Sequence, residues 1–115
     1  ELHKLTPYLT ILQKKGHKVG LVTDGRMSGA SGKVPAAIHL TPEAKDKGII
    51  SKINTGDILS IDAINGTIEV EGIREVAIRE SRQIKPENST SLGRSLFQNA
   101  RNIVGSSEEG ASFIL

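Results

Sequence analysis

Asp57-Ile58-Leu59-Ser60-Ile61-Asp62, then Asn65-Gly66, then Thr67-Ile68-Glu69-Val70 read as two short strands folded back on one another. The apolar positions alternate well enough for strands, and Asn-Gly is a strong hairpin signal because both residues tolerate the left-handed backbone of a tight turn. Ile49 to Ile53 alternates in the same way, with Asn54-Thr55-Gly56 joining it to the next strand. Upstream, Lys18-Val19-Gly20-Leu21-Val22-Thr23 is another β-type run, and Val34 to Leu40 resumes extended character. Such closely spaced strands leave no room for helical crossovers, so a small barrel-like, mostly antiparallel sheet is predicted rather than a doubly wound one.

Helices flank these strands. Thr6 is placed to cap the first and Pro7 sits at its first position, where a missing N–H costs nothing. Leu9, Ile11 and Leu12 give it an apolar face, and Gly16 ends it behind Lys14 and Lys15. Thr41-Pro42-Glu43-Ala44 marks a short helix running to about Gly48. A last helix is predicted over Leu92 to Val104, where Leu92, Leu96, Phe97, Ala100, Ile103 and Val104 recur at three- and four-residue steps. In the charged stretch from Ile73 to Ile84 only Ile73, Val76 and Ala77 fit a helix, and Ala111 to Leu115 suits an edge strand. The class is α+β, mainly β, with two or three flanking helices in a single domain over residues 1–115.

A length of 115 residues suits one domain. Apolar residues at 37%, together with 12 glycines, fall in the ordinary globular range and exclude wholesale disorder. No apolar run approaches the ~20 residues of a membrane helix, and no basic-then-apolar leader opens the sequence, so a cytoplasmic protein is expected. The absence of cysteine excludes disulfides, thiolate zinc sites and any iron–sulfur cluster held by this chain alone. The net charge is +2, acidic residues are interspersed, and two Phe, one Tyr and no Trp offer few stacking platforms. Neither nucleic acid nor membrane is therefore expected as a partner.

The chemistry-bearing stretch is Asp24-Gly25-Arg26-Met27-Ser28-Gly29-Ala30-Ser31-Gly32-Lys33. Its glycines let a ligand approach main-chain N–H groups closely, although a tight surface turn has the same composition. A Walker loop ending at Gly32-Lys33 would need glycine at Met27 and Ser or Thr at Val34. A nucleophile elbow would need glycine at Arg26 and at Ala30, and no two glycines here stand one residue apart as a dinucleotide fingerprint requires. What remains is a strand feeding a polar loop with an Asp, an Arg and a Ser, suited to anion handling or proton transfer.

Leu21-Val22-Thr23-Asp24-Gly25-Arg26-Met27-Ser28-Gly29-Ala30-Ser31 resembles the C-terminal signature of the dihydroxy-acid and phosphogluconate dehydratase family. The stretch Lys33 to Ala44, the opening Glu1-Leu2-His3-Lys4-Leu5-Thr6-Pro7 and the late Gly93-Arg94-Ser95-Leu96-Phe97 resemble its phosphogluconate branch. The resemblance runs through nearly the whole chain and implies a swivelling β/β/α-type domain. It implies a lyase that removes water from a sugar-acid phosphate, 6-phosphogluconate, giving 2-dehydro-3-deoxy-6-phosphogluconate in the Entner–Doudoroff pathway. The family uses an iron–sulfur cluster and a divalent cation, usually magnesium. The missing cysteines then mark this chain as the C-terminal domain of a longer enzyme whose cluster ligands lie in its own N-terminal domain. A homodimer is the family expectation.

Residue by residue, the resemblance assigns Ser28 as the base, acting as an alkoxide that adjacent positive charge would stabilise. Glu1 falls where the family's cation-ligating glutamate stands, and a carboxylate oxygen suits magnesium. Asp24, Gly25 and Gly29 belong to the signature, although an Asp–Arg pair bracketing a tight turn, as Asp24 and Arg26 do, is more often structural. Arg26, Ser31 and Lys33 are candidate substrate contacts, Lys as a point charge for phosphate, although a solvated Lys after glycine is as common. His39, in an extended apolar run, is read as a satisfied half-buried histidine, and His3 and His17 as solvent-facing. Two alternatives stand beside this reading: a sibling dehydratase for dihydroxy acids or unphosphorylated aldonates, and a non-catalytic interaction module on a small β-barrel.

Overall fold

A computed structural model of the chain describes residues 2–27, 32–82 and 91–114. A 3-10 turn over Leu2–Leu5 runs directly into α1, Thr6–Lys14. Thr6 is therefore not the cap: Leu5 holds that position with helical backbone, and the preceding turn takes over the first N–H groups. The Thr6 hydroxyl instead donates to Met27 Sδ at 3.5 Å, tying α1 to the signature loop. Gly16, in the left-handed region at φ 89°, ends α1 as its composition implies.

β1 (Leu21–Val22) pairs with β2 (Ala36–Ala37), in register Leu21 to Ala36 and Val22 to Ala37. This pair is parallel, against the antiparallel expectation, because the stretch 23–35 between the strands supplies the dozen or so residues that a parallel crossover needs. β3 (Leu59–Asp62) and β4 (Thr67–Val70) form the expected antiparallel hairpin, with Asp62 opposite Thr67. The Asp62 carboxylate shapes its turn, accepting from the N–H groups of Ile64 at 2.9 Å and Asn65 at 3.0 Å. Those bonds hold its carboxyl below the usual carboxylate range. The two pairs are separate two-stranded sheets, so the α+β class stands, while no closed barrel forms among the described residues.

Ile49 to Ile53 is not a strand. Ile49–Lys52 is a 3-10 turn behind another at Ala44–Asp46, closed by Ser51 N–H donating to Gly48 O at 3.0 Å. Gly48 between them is obligatory for space, since a β-carbon there would stand 1.7 Å from the Pro42 carbonyl oxygen. α2 (Ile73–Ala77) carries Val76, the most buried side chain described, at 1% exposure. The predicted helix over 92–104 is two pieces, α3 (Leu92–Leu96) and α4 (Gln98–Ile103), hinged at Phe97. Leu92, Leu96, Phe97 and Ile103 are all exposed, so little packing holds one continuous helix together. Residues 111–114 form no strand.

Only Val34 and Val76 are buried hydrophobics among the described residues. The chain exposes 9404 Å², about half again the ~6,100 Å² usual for a folded protein of this mass. An apolar cleft of about 470 Å³ opens between the two sheets, walled by Val22, Leu40, Ile49, Ile50, Leu59 and Ile68. A bidentate ion pair links the start of the hairpin to the segment after α2: Arg79 Nη1 and Nη2 donate to Asp57 at 2.5 and 3.0 Å, with Nη1 also donating to Lys52 O at 3.3 Å. The guanidinium holds the Asp57 carboxyl below its usual range, and the carboxylate raises Arg79 in return.

Candidate active site

The signature loop leaves β1 and is fastened within three residues. Thr23 N–H donates to Ala37 O at 3.0 Å, and Leu40 N–H donates back to Thr23 O at 3.2 Å. Gly25 N–H donates to Thr23 Oγ1 at 3.0 Å, bending the chain in the way short hydroxyl side chains favour. Gly25 is close-packed: a β-carbon there would meet Leu2 Cδ1 at 3.2 Å and Thr23 Oγ1 at 3.3 Å. Asp24 turns away to accept the Ala44 N–H at 2.7 Å, so its carboxylate ties the loop to the 3-10 turn at Ala44–Asp46.

A second cleft, of about 420 Å³, lies directly beside this loop. Asp24, Gly25, Arg26, His39, Glu43 and Ser107 line it together with Gly110 and Ala111. Glu43 is mostly buried and accepts from Ser107 N–H at 3.1 Å, pinning the segment after α4 across the cleft. Lys45 Nζ stands 3.8 Å from the same carboxylate oxygen. His39 is exposed, not half-buried: its backbone is left-handed at φ 57°, which turns the imidazole out of the apolar run. His17 is exposed as expected, and the His3 side chain lies outside the described residues.

Of the residues singled out in the sequence, the structure brings Asp24, Gly25 and Arg26 together at this cleft. Lys33 is exposed and is not among the cleft's lining residues. Ser28, Gly29, Ser31 and Glu1 lie outside the described residues. Glu43 and Ser107 were not legible as site residues. Glu43 sits where a helix start explains it, and Ser107 is distant in sequence and without a motif. Among the described residues no three His, Asp or Glu side chains stand close enough to hold a metal ion, and the chain has no cysteine. No described helix is long and apolar enough to cross a membrane.

Residues 1–111 match the family described as dihydroxy-acid/6-phosphogluconate dehydratase C-terminal, and the chain belongs to that family. Within it, the chain is 51% identical over 99% of its length to a protein of Rhizobium meliloti (strain 1021) named phosphogluconate dehydratase. It is 49% identical over 96% to one of that name from Pseudomonas aeruginosa, and 46% identical over 99% to one from Escherichia coli (strain K12). A protein of Parvibaculum lavamentivorans named dihydroxy-acid dehydratase is 38% identical over 86%. The chain spans about a fifth of the length of these relatives, 19% of the Rhizobium and 18% of the Pseudomonas protein.

Proposed function

We propose that the chain is the C-terminal domain of a hydro-lyase that converts 6-phospho-D-gluconate to 2-dehydro-3-deoxy-6-phosphogluconate. The observation that carries this is the 46–51% identity, over nearly the whole chain, to relatives named phosphogluconate dehydratase. Ser28 takes the proton from the carbon next to the carboxylate. The electron pair left on that carbon forms a double bond to its neighbour, whose hydroxyl leaves and accepts a proton as water. The resulting enol takes a proton on the carbon that lost the hydroxyl and gives up its own O–H proton, becoming the 2-keto acid. Ser28 directly follows Met27, whose sulfur the Thr6 hydroxyl engages, and a fixed approach to the loop suits a residue that must meet one proton.

Arg26, Ser31 and Lys33 contact the substrate in this reading, and Arg26 already lines the cleft. The described residues do not by themselves fit a metal centre. Glu1 would give a single carboxylate to a divalent cation such as magnesium, and the thiolates for an iron–sulfur cluster would come from sequence outside this chain. That outside polypeptide also accounts for the exposed apolar side chains, which its own N-terminal domain and a second subunit would cover in a cytoplasmic homodimer.

The test uses the full-length protein, supplied in turn with 6-phosphogluconate, gluconate and a branched 2,3-dihydroxy acid, with the keto-acid product quantified. The phosphorylated substrate should be turned over at least ~100-fold more efficiently than the others. Equal or better use of gluconate or the dihydroxy acid would move the protein to a sibling activity.

A further inference from the structure

We propose that His39 binds an anionic oxygen group of the acid substrate together with Arg26, which makes it a specificity-determining residue of the cleft. The inference rests on the dehydratase reading above and adds a residue that the signature does not contain.

The first observation is strain. His39 sits at φ 57°, a conformation that glycine adopts freely and a side chain with a β-carbon resists. Its N–H is held by Gly25 O at 3.1 Å, and the next N–H, of Leu40, by Thr23 O at 3.2 Å. The backbone is therefore fixed on both sides of the signature turn while the imidazole is exposed to the cleft. Ala111, at φ 50°, lines the same cleft, so two of the three left-handed non-glycine residues among those described meet there. Strain of this kind persists where surrounding structure enforces it, and it concentrates at ligand sites.

The second observation is which polar groups are already committed. Asp24 is occupied by the Ala44 N–H, and Glu43 by the Ser107 N–H with Lys45 beside it. Arg26 and His39 have no side-chain hydrogen bond or ion pair among the described residues, although both line the cleft. The uncommitted side-chain donors lining the cleft are therefore the Arg26 guanidinium, the His39 imidazole and the Ser107 hydroxyl, of which the first two can carry the positive charge that suits carboxylate or phosphate oxygens. Among the described residues no three-ligand cluster competes for a cation there. A volume of about 420 Å³ is in the range that holds a small ligand.

The experiment measures binding by titration calorimetry on the full-length protein, comparing wild type with His39→Gly and His39→Asn. Both replacements suit a left-handed backbone, so the fold is retained, and relief of strain should leave the thermal midpoint unchanged or raise it in the glycine variant. The probes are 6-phosphogluconate, gluconate and inorganic phosphate. The Kd for 6-phosphogluconate should rise at least ~10-fold in both variants, the low end for losing a hydrogen bond to a charged group, with the loss falling on KM rather than kcat. If the bound group is the phosphate, binding of inorganic phosphate weakens and that of gluconate does not; if it is the carboxylate, the pattern reverses. Wild-type Kd values for all three probes in both variants would overturn the inference while leaving the dehydratase reading intact. His39-dependent binding without keto-acid formation by wild type would do the opposite, and a wild type that binds none of the probes would sink both.

Discussion

Alanine at position 48 places a carbon where the Pro42 carbonyl already stands. The β-carbon would lie 1.7 Å from Pro42 O, 2.5 Å from its carbonyl carbon and 2.9 Å from Glu43 O. Gly48 has φ −54° and ψ 161°, which alanine adopts without strain, so the whole penalty is spatial. Real β-carbons essentially never come closer than 3.0 Å, so the two chain segments must separate by about 1.3 Å. That movement breaks the Gly48 N–H bond to Glu43 O, 2.9 Å, and pulls on the Ser51 hydroxyl bond to Gly48 O, 2.7 Å, both at a buried position. Leaving one or two buried polar groups unpaired costs ~1–3 kcal/mol each, and overpacking adds a similar amount, so Gly48→Ala should cost about 4 kcal/mol. At ~4 °C per kcal/mol the domain's unfolding midpoint should fall by about 15 °C. Differential scanning calorimetry of the full-length protein reads this, with Gly66→Ala as the control. Gly66 is left-handed at φ 68° in open space and should cost only about 1 kcal/mol. A Gly48→Ala midpoint within 2–3 °C of wild type would refute the reasoning, and with it the packing that sets Glu43 and Ala44 against the signature loop.

The Asp57–Arg79 pair gives a pH prediction. A carboxyl held below its ordinary 3.8 in the folded chain stabilises the fold above that value, and the contribution is lost as pH falls through the lower folded value. The slope of the urea midpoint against pH below about 4 should therefore be shallower in Asp57→Asn; an unchanged slope would show the pair contributes nothing. Val76→Ala, at the most buried side chain described, should cost about 2 kcal/mol by urea denaturation, whereas Ile64→Ala on the hairpin tip should be neutral. In the full-length protein, Glu1→Gln should weaken magnesium binding at least ~10-fold in a metal titration, and unchanged affinity would remove Glu1 from the cation. The isolated 115-residue chain should form no keto acid, since it lacks cysteine ligands for a cluster; turnover by the chain alone would contradict the division of roles.

What the sequence conveyed well was local. The hairpin at Asn65-Gly66, the stop at Gly16 and the weak helix at Ile73–Ala77 all follow from residues a few positions apart. What it conveyed poorly depended on distant partners. Ile49–Lys52 has an alternating pattern but becomes a 3-10 turn because Gly48 packs on the carbonyls of Pro42 and Glu43. The helix over 92–104 breaks at Phe97 because its apolar stripe meets little to pack against. At the site, Asp24, Gly25 and Arg26 were legible through the signature, whereas the Glu43–Ser107 bond joins positions far apart in sequence. The exposure of His39 is not legible in the sequence, because an apolar neighbourhood suggests burial and the left-handed backbone is what sets the residue apart from that run.

The central claim is that Ser28 removes the proton in a dehydration of 6-phosphogluconate. It is tested most directly in the full-length enzyme by comparing Ser28→Ala with wild type for keto-acid formation and for solvent-deuterium exchange at the carbon next to the carboxylate. Turnover should fall at least ~100-fold, the low end for losing a positioned acid–base group, and exchange should disappear with it while substrate Kd changes little. Turnover and exchange near wild-type values in the alanine variant would contradict the account and make Ser28 a turn residue.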